Sequence, residues 1–249
     1  MGKLISISAV PLAESPLSPL LAFGAHPDDI EFGAGGIIAL ETAAGRPVHF
    51  VVCSRGEAAT HGTPTQRTAE AEKAAALLGA SLEFLDLGGD AHFVPSLAHS
   101  LTLAAIIRRV RPSLVLAPTV NENQHPDHAV LGKIVRDAAR LARYGGLAEL
   151  RATPAHAISA LFHYAITTDA EVCDSSPVLV DVSSVVSTWT AAMAAHASQA
   201  ATRDYLELQV TRARYHGLRA GVAHAIPLWP ADPIVVNALS PLRHTARRF

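Results

Sequence analysis

The chain has 249 residues, of which 49% are hydrophobic, 17% charged and 5% aromatic. This length and composition are sufficient for one large hydrophobic core and predict a single domain. A net charge of −2 and an isoelectric point near 6.7 argue against a nucleic acid or a membrane surface as the main partner, because both require a basic surface. We therefore expect a small-molecule substrate.

The two cysteines, Cys53 and Cys173, are far apart and match no metal-ligand spacing. Neither a disulfide scaffold nor a cysteine-based zinc site is therefore expected. Prolines interrupt the apolar N-terminal stretch, and no run of about 18 apolar residues occurs. The sequence thus predicts a cytoplasmic protein without an export signal or a membrane span. We expect an N-terminal strand and connector over residues 1–19 and one folded domain over residues 20–249.

Strand-like and helix-like segments alternate along this domain. Strands are predicted at 20–25, 48–53, 82–87, 113–118, 158–167 and 178–182. Helices are predicted over a segment that includes 37–44, and at 65–78, 97–110, 129–143, 185–201 and 203–217. The last stretch, 223–236, contains three prolines and is expected to be irregular. The alternation indicates an α/β fold of the Rossmann-like type, with a mostly parallel sheet and helices on both faces.

Two similar tetrapeptides follow strands of the predicted sheet. The first, His26–Asp29 (HPDD), comes directly after the first firm strand, and the second, His125–His128 (HPDH), comes after the strand at 113–118. Ligands of open α/β sheets bind beyond the carboxyl ends of the strands. We therefore expect the two tetrapeptides to form one site.

The residue types in these tetrapeptides suit a hydrolytic metal site. Zinc takes nitrogen and oxygen ligands at about 2.0–2.2 Å, and a hydrolytic site uses three protein ligands and leaves one position open. His26, Asp29 and His128 supply two imidazoles and one carboxylate. His26 and Asp29 are separated by a turn that contains Pro27, so both side chains can face one ion.

The remaining side chains have the properties that hydrolysis of an amide or an ester requires. Asp28 can accept a proton from a water molecule that the metal activates. His125 can donate a hydrogen bond or a proton to the oxyanion that forms when water adds to a carbonyl. Asp127 can orient the ring of His125 or of His128. These three residues form the predicted catalytic group.

Each of these features also has a structural interpretation. Asp28 and Asp29 can cap the helix that follows them, and His125 and His128 can be solvated loop residues. Gly33, Gly35 and Gly36 can form a nucleotide loop or serve as helix-packing positions. Arg55 and Glu57 can be substrate ligands or a loop ion pair. Arg67 and Glu70 can be site residues or a surface pair. The glycines do not have the Gly-x-Gly-x-x-Gly spacing, which favours helix packing.

The motifs of this chain resemble those of a known enzyme family. Four of them resemble the zinc-dependent N-acetylglucosamine de-N-acetylase superfamily, also called PIG-L or LmbE-like: 25–36 (AHPDDIEFGAGG), 54–57 (SRGE), Arg67 with Glu70, and 125–128 (HPDH). Within it, the bacillithiol-type N-acetylglucosaminyl-malate deacetylases look most similar, because the likeness extends to 178–182 (VLVDV) and 195–199 (AHASQ).

The resemblance implies the same site chemistry and adds a reaction. It implies a Rossmann-like fold, a zinc ion on His26, Asp29 and His128, Asp28 as the general base, and His125 as the oxyanion partner or general acid. The implied reaction is hydrolysis of the acetamide of an amino sugar to a free amine and acetate. The resemblance also implies a homo-oligomer.

The same resemblance indicates which residues bind the substrate. It implies that Arg55, Glu57 and Arg67 lie near the sugar pocket. Bacillithiol-type enzymes often have an arginine just before the second tetrapeptide, where this chain has Gln124. An amide cannot form the bidentate pair with a malate carboxylate that an arginine offers. We therefore expect a neutral amino-sugar glycoside, an aminoglycoside-type precursor or a carrier-bound intermediate of a biosynthetic pathway as the substrate.

The predicted function is thus that of a zinc-dependent N-deacetylase acting on an N-acetylglucosamine-like amino sugar. Two alternatives use the same fold. One is a non-catalytic sugar- or nucleotide-binding protein, and the other is an amidohydrolase that acts on a different amide. The combined presence of ligand, base and oxyanion residues favours an enzyme, because a binding protein does not need them.

Overall fold

A computed structural model describes residues 17–122, 125–200, 204–239, 242 and 244–246. Within these residues the strands are β1 (Leu20–Gly24), β2 (Val48–Val52), β3 (Ser81–Phe84), β4 (Leu114–Pro118), β5 (Ala160–Tyr164), β6 (Val178–Asp181) and β7 (Ala225–Pro230). The helices are α1 (Asp29–Ala43), α2 (Pro64–Leu77), α3 (Leu97–Val110), α4 (Pro126–Ala142), α5 (Val186–Ala194), α6 (Ala197–Ala200) and α7 (Tyr205–Ala220). Residues 1–16, which include most of the predicted N-terminal connector, lie outside the described part of the chain.

All of these strands belong to one sheet. Its order is β3-β2-β1-β4-β5-β7-β6. The five strands from β3 to β5 pair in parallel, whereas β7 is antiparallel to both β5 and β6. The predicted α/β fold with a mostly parallel sheet is confirmed.

Helices cover both faces of this sheet, and the alternation of side chains along β1 shows how. Leu20 and Ala22 belong to the hydrophobic cluster beneath α1, α2, α5 and α7. Leu21 and Phe23 belong to the cluster beneath α3 and α4. Because successive side chains of a strand point to opposite faces, one short apolar segment contributes to both cores.

The first helix begins earlier than its apolar pattern predicts. α1 begins at Asp29, so the glycines predicted to precede the apolar segment lie inside the helix. A Cβ on Gly33 would lie 2.2 Å from the ring of Tyr164, and a Cβ on Gly35 would lie 2.7 Å from the ring of Trp189. These glycines allow large side chains to pack directly on the helix backbone, as the packing interpretation predicts.

Two predictions near the C-terminus are wrong. The stretch predicted to be irregular contains β7, in which Pro227 pairs with Leu179 of β6 and Pro230 pairs with Phe162 of β5. Each proline is paired with a neighbouring strand on one side only, which resembles the sheet edge where proline is tolerated. The predicted helix over 185–201 is divided into α5 and α6. No helix among the described residues has the length and apolar composition needed to cross a membrane.

Candidate metal and catalytic site

A cavity of about 560 Å³ lies beyond the carboxyl ends of the parallel strands. Segments that follow five strands contribute to its lining: His26 with Asp28 and Asp29 after β1, Ala58 to His61 after β2, Asp90 after β3, His125 with His128 after β4, and Ile166 with Thr167 after β5. The two tetrapeptides therefore meet in one cavity, where the sheet topology predicts a site.

Asp29 links the two histidines that were predicted to bind a metal with it. Its Oδ2 lies 3.5 Å from His26 Nδ1, and its Oδ1 lies 3.2 Å from His128 Nε2. Oδ2 also accepts hydrogen bonds from the backbone N–H groups of Ala25 and His26, at 2.8 and 3.0 Å. Burial alone would raise the pKa of Asp29, but His128 and His26 outweigh it and hold that pKa well below the usual range. Asp29 is thus a carboxylate oriented by its own turn.

Two overlapping groups of side chains could hold a metal ion. His26, His125 and His128 offer nitrogen atoms within 4.8 Å of one another, and so do the ligand atoms of His26, Asp90, His125 and Asp127. Imidazole nitrogens beside carboxylate oxygens are a donor set that suits zinc and related divalent metals. The residues at the floor of the cavity therefore fit a metal ion.

The carboxylate of Asp127 contacts His26, a histidine that the sequence prediction did not assign to it. Its Oδ2 lies 3.3 Å from His26 Nε2, and the backbone N–H groups of Ala91 and Phe93 donate to its two oxygens at 2.7 and 3.3 Å. A carboxylate in this position holds His26 Nε2 and leaves Nδ1 directed toward Asp29. Burial would lower the pKa of His26, but Asp29 and the neighbouring carboxylates raise it well above the usual value.

His125 is oriented from two sides. The backbone N–H of Asp127 donates to its Nδ1 at 3.4 Å, which indicates that the ring proton is on Nε2. Nε2 lies 3.4 Å from Asp90 Oδ1, and the same oxygen lies 3.1 Å from His26 Nε2. The donor that was predicted to face an oxyanion is therefore held near the cavity floor by Asp90.

Asp28 has an unusual backbone and an unusual environment. Its φ of 126° lies in a region that favours glycine. Although it precedes α1, its side chain makes no capping hydrogen bond, so the capping interpretation does not describe it. Burial raises the pKa of Asp28 to about 6, against the opposing effect of Arg67. A carboxylate with this pKa can accept a proton near neutral pH.

The predicted substrate residues occupy different positions. Arg67 is buried and lines the cavity. Arg55 is exposed, with its guanidinium 5.4 Å from the centroid of the Phe84 ring, and Glu57 accepts hydrogen bonds from the backbone N–H groups of Arg55 and Asp90. Neither Arg55 nor Glu57 is among the lining residues. Gln124 lies outside the described residues.

The sequence interpretation missed several residues of this cavity. Asp90, His61, Thr167, Gln199, Tyr205 and Gln209 all contribute to the lining. Asp90 could have been found, because it follows the third strand of the predicted sheet as the tetrapeptides follow the first and fourth. The α7 residues carry no such signal, since their approach to the cavity depends on tertiary packing.

Comparison with known proteins agrees with the family that the motifs suggest. The PIG-L family, described as GlcNAc-PI de-N-acetylase, matches residues 21–139. A 4-oxalmesaconate hydratase of Pseudomonas putida is 34% identical over 147 residues, which are 53% of this chain and 55% of that protein. The chain thus matches only about half the length of this curated relative.

Solved structures match over most of the chain. The conserved protein TT1542 of Thermus thermophilus is 30% identical with a TM-score of 0.76, covering 87% of this chain and 96% of that one. The 4-carboxy-2-hydroxymuconate hydratase GalB of Pseudomonas putida is 25% identical with a TM-score of 0.77, covering 90% and 100%. The N,N'-diacetylchitobiose deacetylase of Pyrococcus horikoshii is 23% identical with a TM-score of 0.74. It shares the fold over 86% of this chain and 83% of that one. The chain belongs to the PIG-L, or GlcNAc-PI de-N-acetylase, family.

Proposed function

We propose that this protein is a metal-dependent hydrolase that removes the N-acetyl group from an amino sugar. The observation that carries this proposal is the arrangement around Asp28. A buried carboxylate whose pKa is raised to about 6 directly precedes Asp29, which contacts both His26 and His128. This arrangement combines a base with a metal-binding group inside one cavity.

The chain's own residues would perform the proton transfers. Asp28 accepts a proton from the water molecule that attacks the acetamide carbon, and later returns it to the leaving amine. His125 donates a hydrogen bond from Nε2 to the carbonyl oxygen as that oxygen gains negative charge, and gives up its contact with Asp90 Oδ1 in doing so. Asp127 keeps both rings in position, His26 through its carboxylate and His125 through its backbone N–H.

A metal ion bound by His26, Asp29 and His128 would act as a Lewis acid that polarises the acetamide carbonyl and makes water more acidic. We propose zinc, because two imidazoles and one carboxylate form a common ligand set of hydrolytic zinc sites. Iron or manganese could occupy the same ligands.

The charges of the cavity favour a neutral substrate. Among the described lining residues, three carboxylates, those of Asp28, Asp29 and Asp90, stand against one guanidinium, that of Arg67. Arg67 is already engaged, because its Nη2 lies 3.3 Å from Asp28 Oδ2. An N-acetylated sugar brings no charge into this cavity. A polycarboxylate would place several negative charges near Asp28, Asp29 and Asp90, and only the metal ion or His26 at the floor would balance them. The charges of the cavity lining therefore suit an amino sugar with a neutral aglycone.

A second candidate function is hydration of an unsaturated carboxylic acid. It is favoured by the similarity to the two hydratases of Pseudomonas putida. The name 4-carboxy-2-hydroxymuconate denotes a substrate with several carboxylate groups. Such a substrate needs a cationic partner for each carboxylate. The described lining would offer a metal ion or a protonated His26 at the floor, and the guanidinium of Arg67, which Asp28 already engages. We therefore place deacetylation first.

One assay distinguishes the two reactions. Purified protein of known metal content is given N-acetylglucosamine, its malate glycoside and N-acetylated aminoglycoside fragments, and release of free amine is measured. The same preparation is given an unsaturated polycarboxylate, and loss of its ultraviolet absorbance is followed. We expect amine release, and we expect Asp28→Asn to abolish it. Loss of absorbance without amine release would replace the deacetylase proposal with the hydratase.

A further inference from the structure

Glu70 does not pair with Arg67, although the two are one turn apart on α2. Arg67 Nη2 donates to the carbonyl oxygen of Pro27 at 2.9 Å and contacts Asp28. Glu70 instead receives two hydrogen bonds from Ser198 of α6, from the backbone N–H at 2.9 Å and from the hydroxyl at 2.6 Å. One face of α2 therefore connects the cavity floor with α6.

The same short helix is joined to the mouth of the cavity. Gln199 Nε2 donates to the carbonyl oxygen of His61 at 2.8 Å. Gln199 and His61 both line the cavity, although they come from distant parts of the chain. We call the chain of contacts from Glu70 through Ser198 and Gln199 to His61 the rim clip.

Two glycines show how closely the segment after β2 packs against Ser198 and Arg67. A Cβ on Gly62 would lie 2.7 Å from the Ser198 hydroxyl oxygen, and a Cβ on Gly56 would lie 2.0 Å from Arg67 Nη1. Both residues have positive φ, at 77° and 70°. The segment between them, which contains Ala58 to His61, is thus packed against α6 at one end and against Arg67 at the other.

The hydrogen bonds of the rim clip do not involve the residues that perform the chemistry in the proposed function. His26, Asp29 and His128 are buried at the floor of the cavity, whereas Thr60 and His61 are exposed at its mouth. A substrate whose acetamide reaches the floor would contact the mouth with its aglycone. The rim clip can therefore influence binding of the aglycone without touching the reacting atoms.

We propose that Glu70 is a positioning residue for aglycone recognition, because through Ser198 and Gln199 it fixes the cavity mouth formed by Ala58 to His61. This inference rests on the proposed function for its kinetic consequences. It also predicts a physical effect in the free protein: loss of Glu70 loosens the segment after β2.

The test compares Glu70→Ala with Glu72→Ala, since Glu72 is an exposed acidic residue on the same helix. For Glu70→Ala we expect KM for an N-acetylglucosamine glycoside to rise about fivefold with kcat little changed, because an anchoring hydrogen bond is lost. KM for free N-acetylglucosamine should change little. Glu70→Gln, which keeps one acceptor for Ser198, should restore part of the affinity.

Hydrogen exchange in the absence of substrate gives a second, independent result. Amides of residues 58–62 should exchange faster in Glu70→Ala than in the wild type or in Glu72→Ala. A lower melting temperature with unchanged KM and unchanged exchange would overturn the proposal and leave Glu70 a purely structural residue. If the wild type releases no amine at all, the proposed function fails, and the exchange result alone decides whether the rim clip exists.

Discussion

The guanidinium of Arg67 lies 3.3 Å from the carboxylate of Asp28, and both groups line the cavity beyond β1. This contact connects α2, the helix on which Glu70 lies, with the proposed general base. It lowers the pKa of Asp28, whereas burial, the larger effect, raises it. The balance leaves Asp28 suited to accept a proton, and its position is maintained at the cost of an unfavourable backbone conformation.

We expect Asp28→Gly to be more stable than Asp28→Ala by about 1 kcal/mol, although both lose the carboxylate. A protein with alanine at a given position is normally more stable than one with glycine there. The φ of 126° at position 28 reverses this order, because glycine adopts such a backbone conformation more readily. The measurement is the free energy of unfolding by urea. Equal stabilities, or a more stable alanine variant, would show that the backbone of Asp28 is not strained.

Metal content separates the proposed ligands from the proposed base. We expect the wild type to bind about one zinc ion per chain. His26→Ala and His128→Ala should each lose most of this zinc. Asp28→Asn should retain the metal and lose turnover, because the base is not a ligand. His99→Ala, on α3 and outside the cavity lining, is the matched control. Zinc loss in Asp28→Asn would make Asp28 a ligand instead.

Helix packing at Gly33 supports the backbone that presents the first tetrapeptide. A methyl group at this position would meet the ring of Tyr164, whose hydroxyl donates to the Phe23 carbonyl oxygen at 2.7 Å. We expect Gly33→Ala to destabilise the protein by about 2–3 kcal/mol, as overpacking does in a buried contact. Gly146→Ala serves as the control, because a Cβ on Gly146 meets nothing within 4 Å. A melting temperature for Gly33→Ala as high as that of the control would refute the packing role.

The burial of His163 leads us to expect that the folded protein loses stability in acid. Burial lowers the pKa of His163 below 6.5, and Arg136 adds to the effect, against the hydrogen bond to the Pro118 carbonyl oxygen. The unfolded chain therefore binds a proton at higher pH than the folded protein does. The stabilisation by neutral His163 is complete above the pKa that this residue has in the unfolded chain. It is lost as the pH falls through the lower pKa that His163 has in the folded protein.

The variant His163→Gln tests this dependence. The free energy of unfolding should fall less between about pH 7.5 and about pH 5 in the variant than in the wild type. Glutamine can still donate to the Pro118 carbonyl oxygen, so the comparison isolates the titration. Identical pH dependence in the two proteins would rule out His163 as the source.

Local sequence patterns were sufficient to predict the parallel part of the sheet. The apolar runs that form β1, β2 and β4 are bounded by polar loops, and the two tetrapeptides after β1 and β4 meet because parallel strands end at one edge. β7 was not predictable in this way. Its prolines argue against a strand unless it is known that each of them pairs with a neighbouring strand on one side only.

The outer parts of the cavity depend on contacts between distant segments. The 195–199 motif was recognisable, but its connection to Glu70 and His61 results from the packing of α6 on α2. Helical spacing alone suggested that Arg67 and Glu70 pair on the surface. The burial of Arg67 beside Asp28 becomes visible only when α2 is placed against the first tetrapeptide.

The central claim is that a bound metal ion supports amide hydrolysis at the floor of this cavity. The most direct test removes the metal with a chelator, returns zinc in measured amounts, and follows release of free amine from an N-acetylglucosamine glycoside. We predict that activity is lost without metal and rises in proportion to added zinc up to about one ion per chain. Amine release that persists in the metal-free protein, or that stays absent after zinc is bound, would contradict the account.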